Sequence, residues 1–175
     1  MKKLATVLFC FFILLGSCFA SIDVGDYSVE EITDSLCADF VAYLIDNNLI
    51  GENQQYGIYL FDSTWVLVIA SSDNTDTIFA QFSESNVTFG ARSDDDYSNV
   101  KEFSILEAIN DYHIKYSRRA ALYYSKNCLY AGKRISTSGL TVKMLVRELT
   151  EFQDFSLWGF MYVSLMTELE KTAFQ

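Results

Sequence analysis

The sequence contains a single histidine, His113, on which acid–base or nucleophilic catalysis would most readily depend. A Ser-His-Asp triad would use its imidazole as the general base, but the sequence has no G-x-S-x-G turn or comparable nucleophile segment. A Cys-His pair would require Cys37 or Cys128 beside it, which spacing alone does not establish. His113 lies in a segment of helical periodicity, which favours a place at the core edge or on the surface.

Paired carboxylates offer a second route to catalysis, because glycosidases use two of them in complementary roles. Glu30 and Glu31 are adjacent, and Glu31 is explained by a capping box that begins at Ser28. Glu148 and Glu151 share one helical face at i, i+3 spacing, which is more typical of a solvated surface. The sequence therefore predicts a protein that is not an enzyme. The alternative is a small hydrolase that uses His113 or a carboxylate pair.

Neither a metal nor a cofactor is predicted from the residue spacing. One histidine and two distant cysteines do not supply a tetrahedral zinc site. The acidic clusters at residues 73–76 and 94–96 lack the alternating oxygens and the glycine of a calcium loop. No glycine-rich phosphate loop is present either. We expect both acidic clusters to be solvated loops.

The first 20 residues have the three-part layout of a secretory signal peptide. A positive Lys2-Lys3 pair precedes an apolar run over residues 4–15, and small residues follow up to Ala20. We expect cleavage after Ala20, which releases a periplasmic or secreted protein of about 155 residues. A retained anchor is the alternative, because residues 4–20 have the minimum length of a membrane span.

Cys18 gives a further alternative for this N-terminal segment. Residues 15–18 read Leu-Gly-Ser-Cys, which resembles a bacterial lipobox. In that reading Cys18 is lipidated, becomes the new N-terminus and anchors the protein to a membrane. We expect membrane attachment only in this case.

The charge balance argues against nucleic acid as a partner. The chain has 13 basic and 23 acidic residues, a net charge of −10. Removal of residues 1–20 takes away two lysines and no acid, which leaves 11 basic against 23 acidic residues and a net charge of −12. Such a domain repels nucleic acids and anionic lipid headgroups.

Cleavage after Ala20 also leaves only two cysteines, Cys37 and Cys128. Export permits a disulfide between them, and two buried thiols are the alternative. Two cysteines do not make a disulfide scaffold, so a hydrophobic core must hold the fold. Half of the residues are hydrophobic. We therefore predict a short polar lead over residues 21–27 and one domain over residues 28–170.

Periodicity predicts the element order α-βββ-α-ββ-α. Apolar residues recur at three- and four-residue spacing from Val29 to Ile45, behind the Ser28 capping box, and predict a helix. Residues 56–61 and 65–70 are aromatic and β-branched runs around a turn, and residues 77–83 alternate like a third strand. The segment over residues 85–99 shows the least order, with one short strand at residues 87–89 as an option.

The second half of the chain completes this order. A capping box from Ser104 to Glu107 opens a helix, and two strands follow over residues 119–124 and 128–135. Thr141 opens the last helix, which either continues through residues 155–169 or breaks near residue 153. Strands joined by tight turns predict an α+β fold, with an antiparallel twisted sheet of about five strands and flanking helices.

The last apolar segment is the best candidate for a binding surface. Phe155, Trp158, Met161 and Tyr162 belong to a set of apolar residues too large for one narrow helical stripe. Aromatic and methionine-rich helix surfaces suit adaptable partner binding. The alternative is core packing against the sheet, and both apply if opposite faces of the helix are used.

The segment from Leu106 onward resembles the YbjN family of bacterial proteins, described as sensory transduction regulators. The matching parts are the helix LEAINDYH, the strand RAALY, the strand over residues 128–135 and the loop SGLT. Asn110 matches the family's helix asparagine and Gly139 its loop glycine. The chain departs from the family at Tyr112 and His113, where a second asparagine is frequent, and in having one loop glycine rather than two.

This resemblance implies a fold similar to type III secretion chaperones, which bind partner polypeptides, lack catalysis and commonly form dimers. The expectation is therefore an exported, chaperone-like or regulatory protein-binding domain. Its partner would be a protein or peptide, or a second copy in a homodimer. A further alternative is a carrier of an apolar ligand held between the sheet and the C-terminal helix.

Overall fold

The computed structural model describes residues 24–29, 34–47, 50, 54–61, 64–71, 76–93, 95–116 and 120–173, with the side chains of residues 34–39, 71, 76 and 170–173 left aside. The predicted signal peptide, Cys18 and the cleavage site before Ser21 lie outside these ranges, as does Glu31. So do Asp94 and residues 72–75 of the acidic clusters.

One antiparallel sheet organises the described chain. Its six strands are β1 (Gln54–Phe61), β2 (Thr64–Ser71), β3 (Asp76–Phe82), β4 (Asn86–Ser93), β5 (Ala121–Ser125) and β6 (Cys128–Ser136). Their order across the sheet is β1-β2-β3-β4-β6-β5, so β1 and β5 form its edges. The α+β prediction is confirmed. The strand beyond the expected five is β4, where the sequence indicated only a short option.

Among the described residues, three α-helices accompany the sheet: α1 (Asp34–Asp46), α2 (Glu102–Tyr116) and α3 (Val142–Ala173). A 3-10 turn over Val24–Asp26 precedes α1. α3 is one continuous helix of 32 residues, so no break occurs near residue 153. The first half of α3 covers β4 and β6, and α2 packs against both α3 and β5.

The sequence predicted helix starts at Ser28, Ser104 and Thr141. Thr141 caps α3 as expected, since its Oγ1 accepts a hydrogen bond of 3.3 Å from the backbone N–H of Met144. Ser104 does not start α2: the helix begins at Glu102, and the Ser104 N–H donates to the Lys101 carbonyl. The capping box predicted from Ser28 includes Glu31, which lies outside the described ranges, so it stays a prediction.

A backbone bridge across the fold holds the segment around Ser28. Ser28 pairs with Thr141 in an isolated antiparallel bridge. The Val29 N–H donates to the Leu140 carbonyl at 2.8 Å, and the Val142 N–H donates to the Tyr27 carbonyl at 2.9 Å. The N-terminal segment is therefore tied to the loop that precedes α3.

The core lies between one face of the sheet and the helices. Leu67, Ala80, Phe89 and Lys133 follow one another across that face, and all four are buried. Phe89 contacts Phe152 of α3 at 5.6 Å between ring centroids. Contacts of this kind exclude water and supply most of the folding free energy.

Glycine permits the closest approach of α3 to its neighbours. A Cβ at Gly159 would lie 2.6 Å from the Cδ1 atom of Leu122 and 3.1 Å from the Cε1 atom of Tyr112. The missing side chain therefore lets α3 rest directly on β5 and α2. Of the two residues matched to family motifs, Gly139 has a φ of +68°, which suits glycine in the loop before α3.

Candidate functional site

A groove of about 670 Å³ opens on the side of α3 that faces away from the sheet, next to the end of α2. Its apolar lining comes from both helices: Tyr112, Tyr116, Phe155, Trp158, Met161, Tyr162 and Leu165. Glu151 and Asp154 also line it. All four residues predicted for a partner surface are therefore brought together here.

The spacing of apolar residues along α3 explains why one helix serves both core and groove. Residues 151, 154, 155, 158, 162 and 165 recur three or four apart and line the groove. The opposite face carries buried residues, Leu149, Phe152, Phe160 and Val163 among them. The predicted excess of apolar residues over one stripe is therefore used on two faces.

The groove exposes large apolar side chains to solvent. Trp158 is 61% exposed, Met161 53% and Leu165 57%. Side chains of this size are usually buried in folded domains, and a contiguous exposed group of them marks an interaction site. The exposure therefore distinguishes this half of α3 from the half that covers the sheet.

Tyr112 anchors the floor of the groove. Its side chain is buried, and its hydroxyl donates a hydrogen bond of 3.1 Å to the Phe155 carbonyl. Its ring lies 5.4 Å from the ring of Phe155 and 5.6 Å from that of Tyr162, centroid to centroid. Burial, and to a lesser extent nearby Tyr116, raises the pKa of the Tyr112 hydroxyl. The floor is therefore a packed aromatic cluster held in place by a neutral phenol.

A polar clamp holds Tyr162 at one end of the groove. The Tyr162 hydroxyl donates to the Asp111 carboxylate and accepts a hydrogen bond of 3.1 Å from Lys115 Nζ. Lys115 Nζ also lies 2.7 Å from Asp111 Oδ2. Its hydrogen bond, followed by that of Tyr162, lowers the pKa of Asp111, and the Asp111 carboxylate in turn raises the pKa of Lys115. These contacts link α2 to α3 beside the groove.

His113 lies on α2 but does not line the groove. Its Nε2 accepts a hydrogen bond of 2.8 Å from the backbone N–H of Leu122, the second residue of β5. In a neutral imidazole this acceptor role places the proton on Nδ1. The nitrogen that a general base would use is therefore occupied by the fold, consistent with the predicted role at the core edge.

The two carboxylates of the candidate pair on α3, Glu148 and Glu151, lie in different surroundings. Glu148 Oε2 lies 2.6 Å from Lys133 Nζ, and the two side chains are only 15% and 5% exposed. Arg147 Nη2 is 3.7 Å from the other oxygen of Glu148. Glu151 is exposed and lines the groove. Glu148 is thus a partner for a buried ammonium group rather than half of a catalytic pair.

Cys128 is a free thiol at the start of β6. Its Sγ accepts a hydrogen bond of 3.4 Å from Arg92 Nη2. Cys128 is therefore not bonded to another sulfur in this structure, and its pairing with Cys37 stays a prediction. The side chain of Cys37 lies outside the described residues. Asn110 is exposed beside a smaller depression of about 380 Å³, which Asp111, Ile114 and Met166 also line.

Sequence reasoning missed Tyr112, Tyr116 and Leu165 as groove residues. The two tyrosines are spaced i, i+4 on α2, with ring centroids 5.1 Å apart. That spacing puts aromatic side chains on one helical face and was the available signal. Their proximity to α3 could not be read from spacing, because it depends on how the two helices pack.

Within the described ranges, no group of three or more His, Cys, Asp or Glu side chains is placed to hold a metal ion. The same ranges contain no helix with the length and apolar character needed to cross a membrane. No protein-family model and no curated protein matches the chain. The resemblance to the YbjN family therefore stays a prediction.

Proposed function

We propose that this protein is a non-catalytic, exported binding domain whose groove takes up an amphipathic segment of a partner polypeptide. The observation that carries the proposal is the exposed apolar lining of the groove, centred on Trp158 and Met161. Tryptophan and tyrosine are enriched in binding hot spots, and methionine adapts to differently shaped partners. The sequence of residues 1–20 supports export.

The charges around the groove favour a basic partner. Glu151 and Asp154 line it, and both are exposed. Lys115, beside the groove, is engaged with Asp111 and Tyr162. An amphipathic helix with apolar residues at i, i+3, i+4 and i+7, flanked by lysine or arginine, combines both requirements. We therefore infer a partner segment of that chemistry.

The size of the groove supports a side-chain cluster rather than a whole helix in its interior. About 670 Å³ holds several large side chains, and the rest of the partner would lie across the rim. Pockets of 300–1,000 Å³ also suit small ligands. For this reason, the second candidate is a carrier of an apolar ligand. Its ligand would lie in the groove, on the side of α3 away from the sheet, and not between α3 and the sheet.

Defined peptides test the proposal directly. The probe is a fluorescent 18-residue amphipathic helix with lysine flanks, titrated with the wild-type protein and followed by anisotropy. Its counterpart carries glutamate in place of each lysine. We expect the basic peptide to bind and the acidic peptide to bind at least tenfold more weakly. Equal binding of both peptides would remove the charge argument, and binding of neither would remove the proposal.

Matched variants locate the site. Trp158→Glu places a charge in the groove and should weaken peptide binding at least tenfold. Phe103→Glu makes the same change at a residue of α2 that is 75% exposed and does not line the groove. It should bind as the wild type does. Displacement of the peptide by a fatty acid at micromolar concentration would favour the carrier instead.

A further inference from the structure

The two edges of the sheet differ in how they are covered. At β5, the outward backbone N–H of Leu122 is bonded to His113, and α2 packs along the strand. At the opposite edge, β1 has only β2 as its hydrogen-bonded neighbour among the described strands. Alternate residues of an edge strand direct their N–H and C=O groups outward, where another strand can pair with them.

β1 has the residues of a pairing strand and lacks those that prevent pairing. Its sequence QQYGIYLF contains no charge and no proline. Large side chains are exposed on both of its faces: Tyr56 (50%) and Leu60 (59%) on the core side, and Tyr59 (60%) and Phe61 (70%) on the other. Natural edge strands usually carry lysine, proline or a bulge that blocks such contacts. β1 therefore resembles a strand within a sheet more than a strand at its edge.

We propose that β1 pairs antiparallel with β1 of a second copy of this chain, joining two six-stranded sheets into one continuous sheet. A twofold axis perpendicular to the sheet produces this arrangement. It keeps the helix-bearing face of both copies on the same side, because rotation within the sheet plane does not exchange its faces. The contact is isologous, which means that the same strand of both copies takes part. If one residue contacts a second residue across the axis, the second contacts the first on the other side of the axis.

The charge distribution favours a second copy at this place. The chain has a net charge of −10, so two copies repel each other over most approaches. β1 and its neighbour β2 carry no charged residue, which makes this edge a neutral part of an acidic protein. A strongly basic foreign partner would find no carboxylate on β1 to bind. A copy of the same chain needs none.

The area available fits a weak, reversible dimer. At ~200 Å² for a large side chain, the exposed fractions of Tyr56, Tyr59, Leu60 and Phe61 amount to about 500 Å² per copy. Complete burial on both copies would amount to about 1,000 Å², the lower bound for a specific interface. Strand pairing covers only part of this area, so we expect a weak dimer that depends on concentration.

Sedimentation equilibrium on the protein expressed from its full sequence tests this proposal. Between about 5 and 500 µM, the weight-average mass should rise from one chain to two. The association should strengthen severalfold when sodium chloride is raised, because salt screens the repulsion between acidic copies. A mass of one chain at every concentration overturns the proposal, and so does a dimer that salt weakens.

Three variants identify the contact. Leu60→Lys should give one chain at every concentration. Tyr123→Lys, a matched change on the other edge strand at a residue 49% exposed, should dimerise as the wild type does. Trp158→Glu should also dimerise, which separates this contact from the groove. Loss of the dimer in Trp158→Glu or Tyr123→Lys, with retention in Leu60→Lys, overturns the proposal. Thermal melts confirm that each variant is folded.

Discussion

The Nε2 atom of His113 accepts a hydrogen bond of 2.8 Å from the backbone N–H of Leu122, and this bond joins α2 to the edge strand β5. The only histidine of the chain thus serves the backbone of a strand. As the single histidine it was the natural candidate for a catalytic base, but the fold gives the imidazole a structural partner.

Replacing His113 should therefore cost stability. His113→Leu removes the acceptor and leaves the half-buried Leu122 amide without a partner, which should lower the free energy of unfolding by about 1–3 kcal/mol. Urea denaturation measures the loss. Ile114→Leu, at a neighbouring residue that is 75% exposed, is the control and should change little. If His113→Leu is as stable as the control, the bond does not matter to the fold.

The buried ion pair between Lys133 and Glu148 predicts a strongly non-additive pair of variants. Glu148→Leu leaves the ammonium group buried without its counter-ion, Lys133→Met does the same to the carboxylate, and each should cost about 3–5 kcal/mol. The double variant Lys133→Met, Glu148→Leu removes both charges and should recover most of that loss. Urea denaturation of the four proteins of the cycle gives the coupling. Additive losses would contradict a direct interaction.

Tyr97 predicts a loss of stability in alkali. It is buried near Asp95, and burial, with the carboxylate second, raises the pKa of its hydroxyl above the ordinary range. Folding therefore favours the neutral phenol: the contribution is complete below pH ~10, where unfolded tyrosine ionises, and is lost as the pH rises further. The slope approaches about 1.4 kcal/mol per pH unit.

Urea denaturation at pH 9 and pH 11 measures this effect. Tyr97→Phe should flatten the decline, because phenylalanine does not titrate. Tyr59→Phe, at a tyrosine that is 60% exposed, should decline as steeply as the wild type. Identical declines in wild type and Tyr97→Phe would show that Tyr97 is not the group responsible.

The intact mass of the exported protein tests its N-terminus. Cleavage after Ala20 predicts a chain that begins at Ser21 and carries no lipid. Lipidation would instead give a chain that begins at a diacylated Cys18, heavier by the acyl chains. Cys18→Ser should leave processing after Ala20 unchanged. If it abolishes maturation, the lipobox reading is correct.

The sequence predicted the elements with clear periodicity and was less informative where burial was more complete. In β4 the consecutive residues Phe89 to Ala91 are all buried, so both faces of the strand are covered there. Its sequence therefore lacks the alternation of a half-exposed strand. The turn between β5 and β6 was indicated by its residue types, and Lys126 and Asn127 have the positive φ values that a two-residue hairpin turn requires.

The site was predicted in part. The sequence indicated the apolar residues of α3, but not that α2 packs beside them. Phe155, Trp158, Met161 and Tyr162 stand out within one segment of the chain. Tyr112 joins them through a hydrogen bond across 43 positions in sequence. Thr141 shows the same limit: the sequence predicted its capping role in α3, but not its bridge to Ser28, far along the chain.

The uninterrupted course of α3 couples occupancy of the groove to global unfolding. The same helix carries Leu145 and Phe152 in the core and Trp158 and Leu165 in the groove. At ~1.5 Å per residue, it extends for about 48 Å. The part of α3 that lines the groove cannot fray on its own, because Phe160 and Val163 on the opposite face of the helix are buried. Any molecule that fills it therefore raises the melting temperature by mass action, and thermal shift becomes a direct assay for ligands.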